Sequence, residues 1–223
     1  MGAPCVIYED EFLLAVDKPA GLLVHGDGTG APTLTDLVRE HLERSGRPSS
    51  GVQAVQRLDV DTTGLVLFSL DKAIQASLDA QVAGRGMHKR YLAVVRGRFP
   101  AGTTRIDRPI GRDRHDARRM RVSEGGKSAL TVVEMLGEAR SCSLLSVELG
   151  SGRRHQIRVH LASRGFPIVG DVLYGGARSR EGLMLHALEE RLAHPVTGEE
   201  LALRTELPAR FAALMANGIA WPA

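Results

Sequence analysis

Two short stretches of the sequence carry side chains that could do chemistry. The first runs from Gln56 to Asp59 and sets the guanidinium of Arg57 and the carboxylate of Asp59 two residues apart. On an extended strand both groups project from one face, while Leu58 turns into the core. The carboxylate could instead be a structural cap, because a Thr-Thr-Gly turn follows closely.

The second stretch, residues 151–160, concentrates cations and holds no acid. Arg153, Arg154 and Arg158 fall within it, together with two histidines. So many donors are hard to explain as a solvated helix face, and their natural complement is an anion such as a carboxylate plus phosphates. The two stretches together favour a carboxylate that works on a polyanionic substrate.

The charge composition gives a second indication. The chain of 223 residues has 29 Lys and Arg against 26 Asp and Glu, a formal net charge of +3. Only four of the cations are lysines. Arginine pairs with phosphate bidentately and stacks on bases, so this bias suits a nucleic-acid-binding protein. A GC-rich genome would produce the same bias, so composition alone does not decide.

Length and composition exclude several classes of protein. A hydrophobic share of 43% fits one globular domain over residues 1–223. Cys5 and Cys142 supply neither a zinc ligand set nor a disulfide framework, which favours a reducing compartment. No apolar run reaches the ~18 residues of a membrane span, and no export signal begins the chain. We therefore predict a cytoplasmic protein with no membrane partner.

Hydrophobic periodicity predicts an α+β fold in which antiparallel strands dominate. One helix is predicted around Leu34 to Leu42 with Thr33 as its N-cap, and another places Ile74, Leu78 and Val82 on one face. The other predicted elements are a hairpin over Val6 to Val16; strands at Leu22 to His25, Gln53 to Leu58, Leu65 to Ser69, Tyr91 to Val95, Leu130 to Leu136, Ser143 to Leu149 and Leu183 to Ala187; a helix with Ile157 and Leu161; and a last helix starting at Pro208.

The segment from Arg105 to Arg121 has an unusual composition. It holds seven arginines and His115 against three aspartates, without a helical or alternating apolar pattern. This composition predicts an Arg-rich loop within the domain. The loop could grip RNA, or it could be a solvated surface segment.

Several tempting motifs lack the residue that their chemistry requires. The acidic run at Asp59 resembles the start of a calcium loop, but its twelfth position is Leu70 where a glutamate is needed. The Gly-Lys-Ser sequence at 126–128 echoes a phosphate-binding loop whose first glycine would fall at Arg121. No nucleotide, metal or flavin motif withstands this test, so we predict that the chain uses no cofactor.

A series of short motifs, in order along the chain, resembles the RluA-type RNA pseudouridine synthases. The resemblance spans Ile7 to Phe211, and the ordered matches make it highly specific. The matching pieces are residues 17–25 (Asp-Lys-Pro-Ala-Gly-Leu-Leu-Val-His), 57–59 (Arg-Leu-Asp) with 61–65, 89–91 (Lys-Arg-Tyr), 126–129, 152–160, 170–171, and 185–187 with 194–195.

The resemblance implies the pseudouridine synthase fold, a largely antiparallel mixed sheet flanked by helices and loops around a central RNA-binding cleft. It implies an isomerase that breaks the bond between ribose carbon 1 and uracil nitrogen 1 and joins the ribose to carbon 5 instead. The substrate would be specific uridines in ribosomal or transfer RNA, and no cofactor would be consumed.

The resemblance also implies roles for individual residues. Asp59 matches the family's catalytic aspartate, a nucleophile that would attack either the ribose or the uracil. Arg158 would supply the opposite charge that favours the ionised carboxylate and orients it. Because the target base must leave its stack, Arg57 would occupy the vacated place. Tyr91 would stack on the flipped base and help to remove the carbon 5 proton, unless it is a core tyrosine.

Further residues would shape and charge the site. Ile157 and Leu185 would form apolar walls. Arg153 and Arg154 would face phosphates, as would Arg164, although Arg153 could instead brace the site. Lys89 would also be an RNA-binding residue.

The chain departs from the family pattern at two positions. Gln56 stands where the family usually has histidine, and Thr63 stands where it usually has serine. Glutamine still donates and accepts hydrogen bonds and threonine keeps the hydroxyl, so both changes bear on how the loop is supported. Because few residues precede the matching region, we expect a stand-alone catalytic domain. We also expect a monomer without an obligatory protein partner.

Two other functions stay open at this point. A catalytically inactive RNA-binding or RNA-folding factor could keep the same fold. The joint presence of four site residues argues against it, namely Arg57, Asp59, Tyr91 and Arg158. A glycoside hydrolase would need a second carboxylate ~5–10 Å from the first. Asp61 is a candidate for it, but arginine-rich surroundings suit polyanions better than neutral sugars.

Overall fold

The structure, a computed structural model, describes residues 3–84, 86–139 and 141–215. The chain divides into two compact units. The first comprises Met1–Lys89 and Ala187–Thr205, and the second comprises Arg90–His186 and Glu206–Ala223. Each unit therefore joins segments that are far apart in the sequence. The single domain over residues 1–223 stays a prediction.

The described residues form twelve strands and four helices. In chain order they are β1 (Cys5–Glu9), β2 (Leu13–Lys18), α1 (Leu34–Arg44), β3 (Gln53–Ala54), β4 (Thr63–Ser69), α2 (Lys72–Ala83), β5 (His88–Arg96), β6 (Thr103–Asp107), β7 (Ile110–Arg112), β8 (Met120–Val122), β9 (Leu130–Ala139), β10 (Cys142–Leu149), α3 (Gln156–Ser163), β11 (Leu185–Ala193), β12 (Glu200–Arg204) and α4 (Ala209–Met215).

The first unit is centred on β2 and β4. β2 pairs antiparallel with both β1 and β4, and β4 also pairs antiparallel with β3. β11 neighbours β4 and pairs antiparallel with β12. Every residue of β4 is buried, which accounts for the continuous apolar run that predicts this strand. The predicted N-terminal hairpin is the β1–β2 pair.

Helix α1 begins where its sequence predicts. The hydroxyl of Thr33 accepts a hydrogen bond from the Asp36 backbone N–H, and the Asp36 carboxylate accepts one from the Thr33 backbone N–H. This reciprocal pair satisfies two backbone donors that the first helical turn leaves without partners. Leu34, Val38 and Leu42 are buried along the predicted face.

In α2 the apolar face is shorter than predicted. Ile74 and Leu78 are buried, but Val82 is 40% exposed. Val82 lies in the last turn, where Ala83 and Gly84 are exposed too. That turn therefore extends beyond the core, and the helix ends at Gly84 as predicted.

The second unit contains the strand order β5-β10-β9-β6, and each of these pairings is antiparallel. A separate two-stranded sheet pairs β7 with β8, with Ile110 opposite Val122 and Arg112 opposite Met120. Helix α4 starts directly after Pro208, as predicted. The α+β class with a largely antiparallel arrangement is confirmed.

One predicted strand is wrong. Leu22 to His25 does not pair as a strand, because the carbonyl groups of Leu23 and Val24 accept hydrogen bonds from the backbone N–H groups of Leu34 and Thr35. This segment therefore lies against the start of α1 instead of extending a sheet.

The segment predicted as an Arg-rich loop, Arg105 to Arg121, is also corrected. It contains most of β6, all of β7 and the start of β8, and residues 113–119 form the turn between β7 and β8. The hairpin packs into a small apolar cluster of Ile110, Ala129, Val159 and Tyr174, with Met120 and Val122 against it. The sequence does not predict this hairpin, because arginines separate its few apolar residues. The apolar cluster that buries them is completed by residues from distant segments.

Among the described residues, no helix combines the length and the apolar character that crossing a membrane requires. Cys5 is exposed, Cys142 is half-buried, and both are free thiols.

Candidate active site

The residues predicted for the site divide between the two units, and each half is described separately. The first unit contains Arg57, Asp59 and Lys89. The second unit contains the remaining ones, Tyr91, Arg153, Arg154, Ile157, Arg158 and Leu185.

In the first unit, Arg57 and Asp59 follow a strand that is shorter than predicted. β3 ends at Ala54, the chain bends at residues 55–56, and residues 57–59 have no regular structure. The alternation of side chains nevertheless persists, since Arg57 is exposed, Leu58 is buried and Asp59 is half-buried. Leu58 therefore anchors the segment in the core, as predicted, without belonging to a sheet.

The turn after Asp59 is tightly defined. The Thr62 backbone N–H donates to the Asp59 carbonyl at 3.1 Å, which closes the turn. Gly64 has a φ of +109°, and a Cβ atom there would lie 2.1 Å from the Ala187 carbonyl oxygen. Only glycine fits this close approach of β4 to β11. The predicted Thr-Thr-Gly turn is therefore fixed by steric contact with a distant strand.

A buried lysine connects this turn to the N-terminal part of the unit. The ammonium group of Lys18 donates to the carbonyl oxygens of Pro19 at 2.9 Å, Leu22 at 2.6 Å and Val60 at 2.8 Å. Burial lowers the pKa of Lys18 to about 8, while the charges of Asp61 and Asp59 oppose that shift. Lys18 lies in the first motif of the resemblance, and the sequence predicts no role for it.

Gln56, next to Arg57, is held by a second buried ionisable group. Its side-chain Nε2 donates to Glu190 Oε1 at 2.5 Å. Burial raises the pKa of Glu190 to about 7, and the positive charge of Lys89 opposes that shift. The sequence does not predict Glu190 as a site residue, and it predicts Lys89 only as an RNA-binding residue. Nothing in the local sequence marks Glu190, because its partner lies on another element.

The charge of Arg57 also acts on His25. Burial is the main cause that lowers the pKa of this histidine, and the nearby positive charges of Arg57 and Arg39 lower it further. His25 belongs to the first motif of the resemblance, so the structure brings two of the matching motifs together.

In the second unit, the start of α3 is held by an unusual backbone and a buried amide. His155 has a φ of 55°, a left-handed conformation that costs energy for a residue other than glycine. The Gln156 side chain accepts hydrogen bonds from the Ser151 hydroxyl at 2.8 Å and the Arg153 backbone N–H at 3.0 Å, and donates to the Leu130 carbonyl at 2.8 Å. The Arg-rich stretch therefore has a fixed conformation.

Arg158 forms a buried ion pair within the same unit. Its Nε and Nη2 donate to the two carboxylate oxygens of Asp171 at 2.8 and 2.9 Å. The two side chains are 9% and 0% exposed. Asp171 lies in one of the matching motifs, and the sequence predicts no role for it. Its predicted partner Asp59 belongs to the first unit, and that pairing stays a prediction.

Tyr174 lies beside this ion pair and contacts a histidine and two arginines. Its hydroxyl lies 2.6 Å from His155 Nδ1 and accepts a hydrogen bond from the Met120 backbone N–H at 2.8 Å. The guanidinium carbons of Arg158 and Arg119 lie 5.1 and 5.4 Å from its ring centre. Both distances lie within the ~6 Å at which an aromatic ring attracts a cation, so the ring favours the positions of the two arginines.

The three apolar residues predicted for the site are all buried in the second unit. Tyr91 lies on β5 opposite Val147 of β10, Ile157 lies in the first turn of α3, and Leu185 is the first residue of β11. Burial of Tyr91 agrees with a stacking residue and equally with a core tyrosine.

The exposed arginines of the second unit are partly tied to the backbone. Arg153 Nε donates to the Ser128 carbonyl at 3.0 Å, and Arg154 Nη2 donates to the Arg118 carbonyl at 3.0 Å. Both side chains are otherwise exposed, as is Arg164 at the end of α3. Within the described residues, no group of three or more His, Cys, Asp and Glu side chains is arranged to hold a metal ion.

Comparison with known proteins decides which family has these features. A family described as RNA pseudouridylate synthase matches residues 12–163. The Bacillus subtilis protein named Uncharacterized RNA pseudouridine synthase YhcT is 37% identical over 208 residues, which cover 92% of this chain and 68% of the relative. This chain belongs to the RNA pseudouridine synthase family.

Further relatives and solved structures agree. Ribosomal large subunit pseudouridine synthase D of Xanthomonas campestris is 38% identical over 229 residues, covering 94% of this synthase and 68% of the relative. The structure of Human RNA Pseudouridylate Synthase Domain Containing 1 matches with a TM-score of 0.77 at 28% identity, covering 92% of this synthase and 84% of that chain. The predicted RluA-type resemblance is confirmed, and the synthase is an isomerase that acts on uridines in RNA.

Proposed function

We propose that this synthase isomerises specific uridines in ribosomal RNA and that Asp59 is its nucleophile. Relatives from Xanthomonas campestris and Nitrosomonas europaea, which are 38% and 36% identical to it over the matching region, carry names that refer to the large ribosomal subunit. Ribosomal RNA is therefore the first substrate to test, and transfer RNA is the second.

The observation that carries the proposal is the support given to Asp59. Its carbonyl closes the turn with Thr62, its neighbour Leu58 is buried, and the charge of the buried Lys18 ammonium lies close enough to interact with its carboxylate. An attacking group must keep one orientation, because small misplacements cost large factors in rate. A half-buried carboxylate on a fixed turn meets this requirement, and a mobile surface aspartate would not.

The reaction needs a bond exchange at the uridine and no net change in composition. The bond between ribose carbon 1 and uracil nitrogen 1 breaks, the base turns, and the ribose is joined to carbon 5. Carbon 5 loses a proton and nitrogen 1 gains one, so no oxidant, reductant or metal is required. Asp59 would form a covalent bond to the ribose or to the uracil while the base turns.

The other predicted residues have positions that suit base flipping. Arg57 is exposed beside Asp59, so its side chain could take the place of the extruded base. In the second unit, Tyr91 and Ile157 would contact the base and Leu185 would complete the apolar wall. Arg158, fixed in orientation by Asp171, would stabilise the ionised nucleophile.

The β7–β8 hairpin and the start of α3 would contact the RNA backbone. Arg112, Arg121, Arg153 and Arg154 are exposed in the second unit. Arg154 donates to the Arg118 carbonyl in the hairpin turn, so the hairpin and the start of the helix are joined, and we expect their exposed arginines to offer the RNA a positively charged surface. Such a surface would bind phosphates without reading sequence.

The test uses total RNA from a strain that lacks the gene. Purified wild-type synthase, Asp59→Asn and the matched control Asp61→Asn are incubated with separated ribosomal and transfer RNA fractions. Pseudouridines are then mapped with a carbodiimide that marks them, since the isomers have the same mass. We expect new pseudouridines in ribosomal RNA with wild type and Asp61→Asn, and none with Asp59→Asn.

Three results would contradict the proposal. Equal modification by wild type and Asp59→Asn would exclude Asp59 as the nucleophile. Modification confined to transfer RNA would exclude the ribosomal substrate. Binding to RNA without any modification, in all fractions, would favour an inactive RNA-binding factor.

A further inference from the structure

Glu190 is an ionisable residue in a row of apolar side chains. Along β11, Leu188, Glu190 and Leu192 point to the same side of the strand, since residues two apart share a face. All three are buried, and Glu190 is 1% exposed. A carboxyl group is costly to bury at a position where an aliphatic side chain would fit. Its presence there calls for an interaction that leucine could not make.

The interaction that Glu190 makes is with the segment that carries Asp59. Gln56 Nε2 donates to Glu190 Oε1 at 2.5 Å, across a sequence separation of 134 residues. The backbone of the segment is held at its two ends, where the Val55 N–H donates to the Leu67 carbonyl at 2.8 Å and the Thr62 N–H donates to the Asp59 carbonyl at 3.1 Å. The bond from Gln56 to Glu190 adds a side-chain anchor directly before Arg57.

The remaining polar atoms of the pair are complementary. Among the described residues, Gln56 Oε1 and Glu190 Oε2 are buried and have no hydrogen-bond partner. Two buried acceptors without donors are unfavourable while Glu190 is ionised. A proton on Glu190 would turn one of these acceptors into a donor. Burial, which raises the pKa of Glu190 to about 7, favours that protonated form.

The elements around Glu190 provide little else to interact with its charge. From β5, the Lys89 ammonium acts on Glu190 electrostatically. On the neighbouring strand β4, no residue is titratable, and on β12 the residue opposite Glu190 is Leu203. Gln56 is thus the neutral group that forms a hydrogen bond with Glu190, and Lys89 is the charged group that acts on the Glu190 carboxylate.

We propose that Glu190 is a positioning residue for the Arg57–Asp59 segment and acts through its hydrogen bond with Gln56. The inference rests on the proposed function, in which Asp59 is the nucleophile. Glu190 does not touch the substrate. It fixes the residue before Arg57, so that Arg57 and Asp59 keep their orientation between turnovers.

The test compares four variants, Glu190→Leu, Glu190→Gln, Gln56→Leu and the double variant Gln56→Leu/Glu190→Leu. Loss of a buried hydrogen bond next to the reacting group should lower kcat about tenfold or more in Glu190→Leu, with KM changed less than about threefold. Glu190→Gln keeps an acceptor for the Gln56 amide and should retain kcat within about threefold of wild type. The double variant should be no slower than the slower single variant, because both changes remove one interaction.

Hydrogen exchange gives a readout that does not depend on activity. The backbone amides of residues 56–62 should exchange faster in Glu190→Leu and in Gln56→Leu, while those of α1 are unchanged. Glu189→Leu is the matched control, because Glu189 is the adjacent buried carboxylate and bonds Arg191 instead. It should leave both the exchange of residues 56–62 and kcat unchanged. If Glu190→Leu does not fold, Gln56→Leu and Glu190→Gln carry the same comparison.

Three results would overturn the inference. They are unchanged exchange of residues 56–62 in both single Leu variants, additive losses of kcat in the double variant, and a loss in Glu190→Gln equal to that in Glu190→Leu. Failure of the proposed function is a separate outcome. It would appear as a wild-type protein without activity on RNA, and the exchange experiment would still decide whether Glu190 positions the segment.

Discussion

Lys18 and Glu190 in the first unit are buried in a different way from Arg158 and Asp171 in the second. In the first unit, Lys18 is surrounded by three backbone carbonyls and Glu190 is bonded to an amide, so these two buried ionisable groups have neutral hydrogen-bond partners. In the second unit, Arg158 and Asp171 are buried together as a bidentate ion pair. The first arrangement depends on hydrogen bonds to dipoles, and the second on attraction between opposite charges.

This difference predicts different responses to pH and to mutation. A buried group without a full counter-charge shifts its pKa towards the neutral form, as burial does for Lys18 to about 8 and for Glu190 to about 7. A buried pair keeps both charges, and removal of one partner leaves the other uncompensated. Lys18 and Glu190 should therefore make stability depend on pH, and the Arg158–Asp171 pair should make it depend on the loss of a single partner.

The largest effect is expected from breaking the pair. Asp171→Ala removes the carboxylate that binds the buried Arg158 guanidinium at two points and should lower the free energy of unfolding by about 3–5 kcal/mol. The control Glu148→Ala removes an exposed carboxylate 3.8 Å from Arg90, and it should cost less than about 1 kcal/mol. Urea denaturation measures both. Equal losses in the two variants would show that the buried pair has no special importance.

Lys18 should give a rise of stability with pH. Its folded pKa of about 8 lies below the unfolded value of 10.5, so between these values the unfolded chain binds more protons. The free energy of unfolding should therefore increase from pH 8 to 10.5, by up to about 3 kcal/mol, relative to Lys18→Met. Lys72→Met, at an exposed lysine, is the control and should track wild type. A constant difference between wild type and Lys18→Met across this range would contradict the burial of the charge.

Glu190 should give the opposite slope in a lower pH range. Its folded pKa of about 7 lies above the unfolded value of 4.5, so the folded chain binds more protons between them. Stability should therefore fall as pH rises from 4.5 to 7, by up to about 3 kcal/mol, and this fall should be absent in Glu190→Gln. Glu189→Gln should retain it. Parallel pH profiles for wild type and Glu190→Gln would refute the account of this residue.

A smaller effect is expected on RNA binding. The comparison is between removal of two exposed arginines from the second unit and removal of two from the first. Arg112→Gln/Arg121→Gln should weaken RNA binding about tenfold and flatten the slope of log K against log salt by about 1.5. The control Arg44→Gln/Arg191→Gln removes the same charge from exposed positions of the first unit and should change the slope little. Binding and salt dependence can be measured by fluorescence anisotropy. Equal changes in both double variants would mean that net charge alone drives the binding.

Much of the fold follows from local sequence patterns. The capping residues and the Leu34, Val38 and Leu42 spacing predict α1, and runs of aliphatic residues predict β4 and β10, because these signals lie within one element. The β7–β8 hairpin escaped prediction since its core is completed by Tyr174, far along the chain. Leu22 to His25 escaped because its carbonyls bond the start of a helix, which local composition does not reveal.

The site also contains residues that the sequence predicts and residues that it does not. Arg57 and Asp59 could be selected from their spacing and from the ordered motifs around them. The partners that hold their segment could not, because Glu190 is 134 residues from Gln56 and Lys18 looks like any surface lysine in the sequence. Burial of a charged side chain depends on which distant groups surround it, and this information is tertiary.

The most direct test of the central claim follows the hydrogen at carbon 5 of uridine. RNA labelled with tritium at that carbon is incubated with wild type, Asp59→Asn and Asp61→Asn, and tritium released to water is counted. Wild type and Asp61→Asn should release it at similar rates, and Asp59→Asn should be slower by about a thousandfold or more, because it lacks the attacking group. Comparable release by Asp59→Asn and wild type would contradict the assignment of Asp59 as the nucleophile.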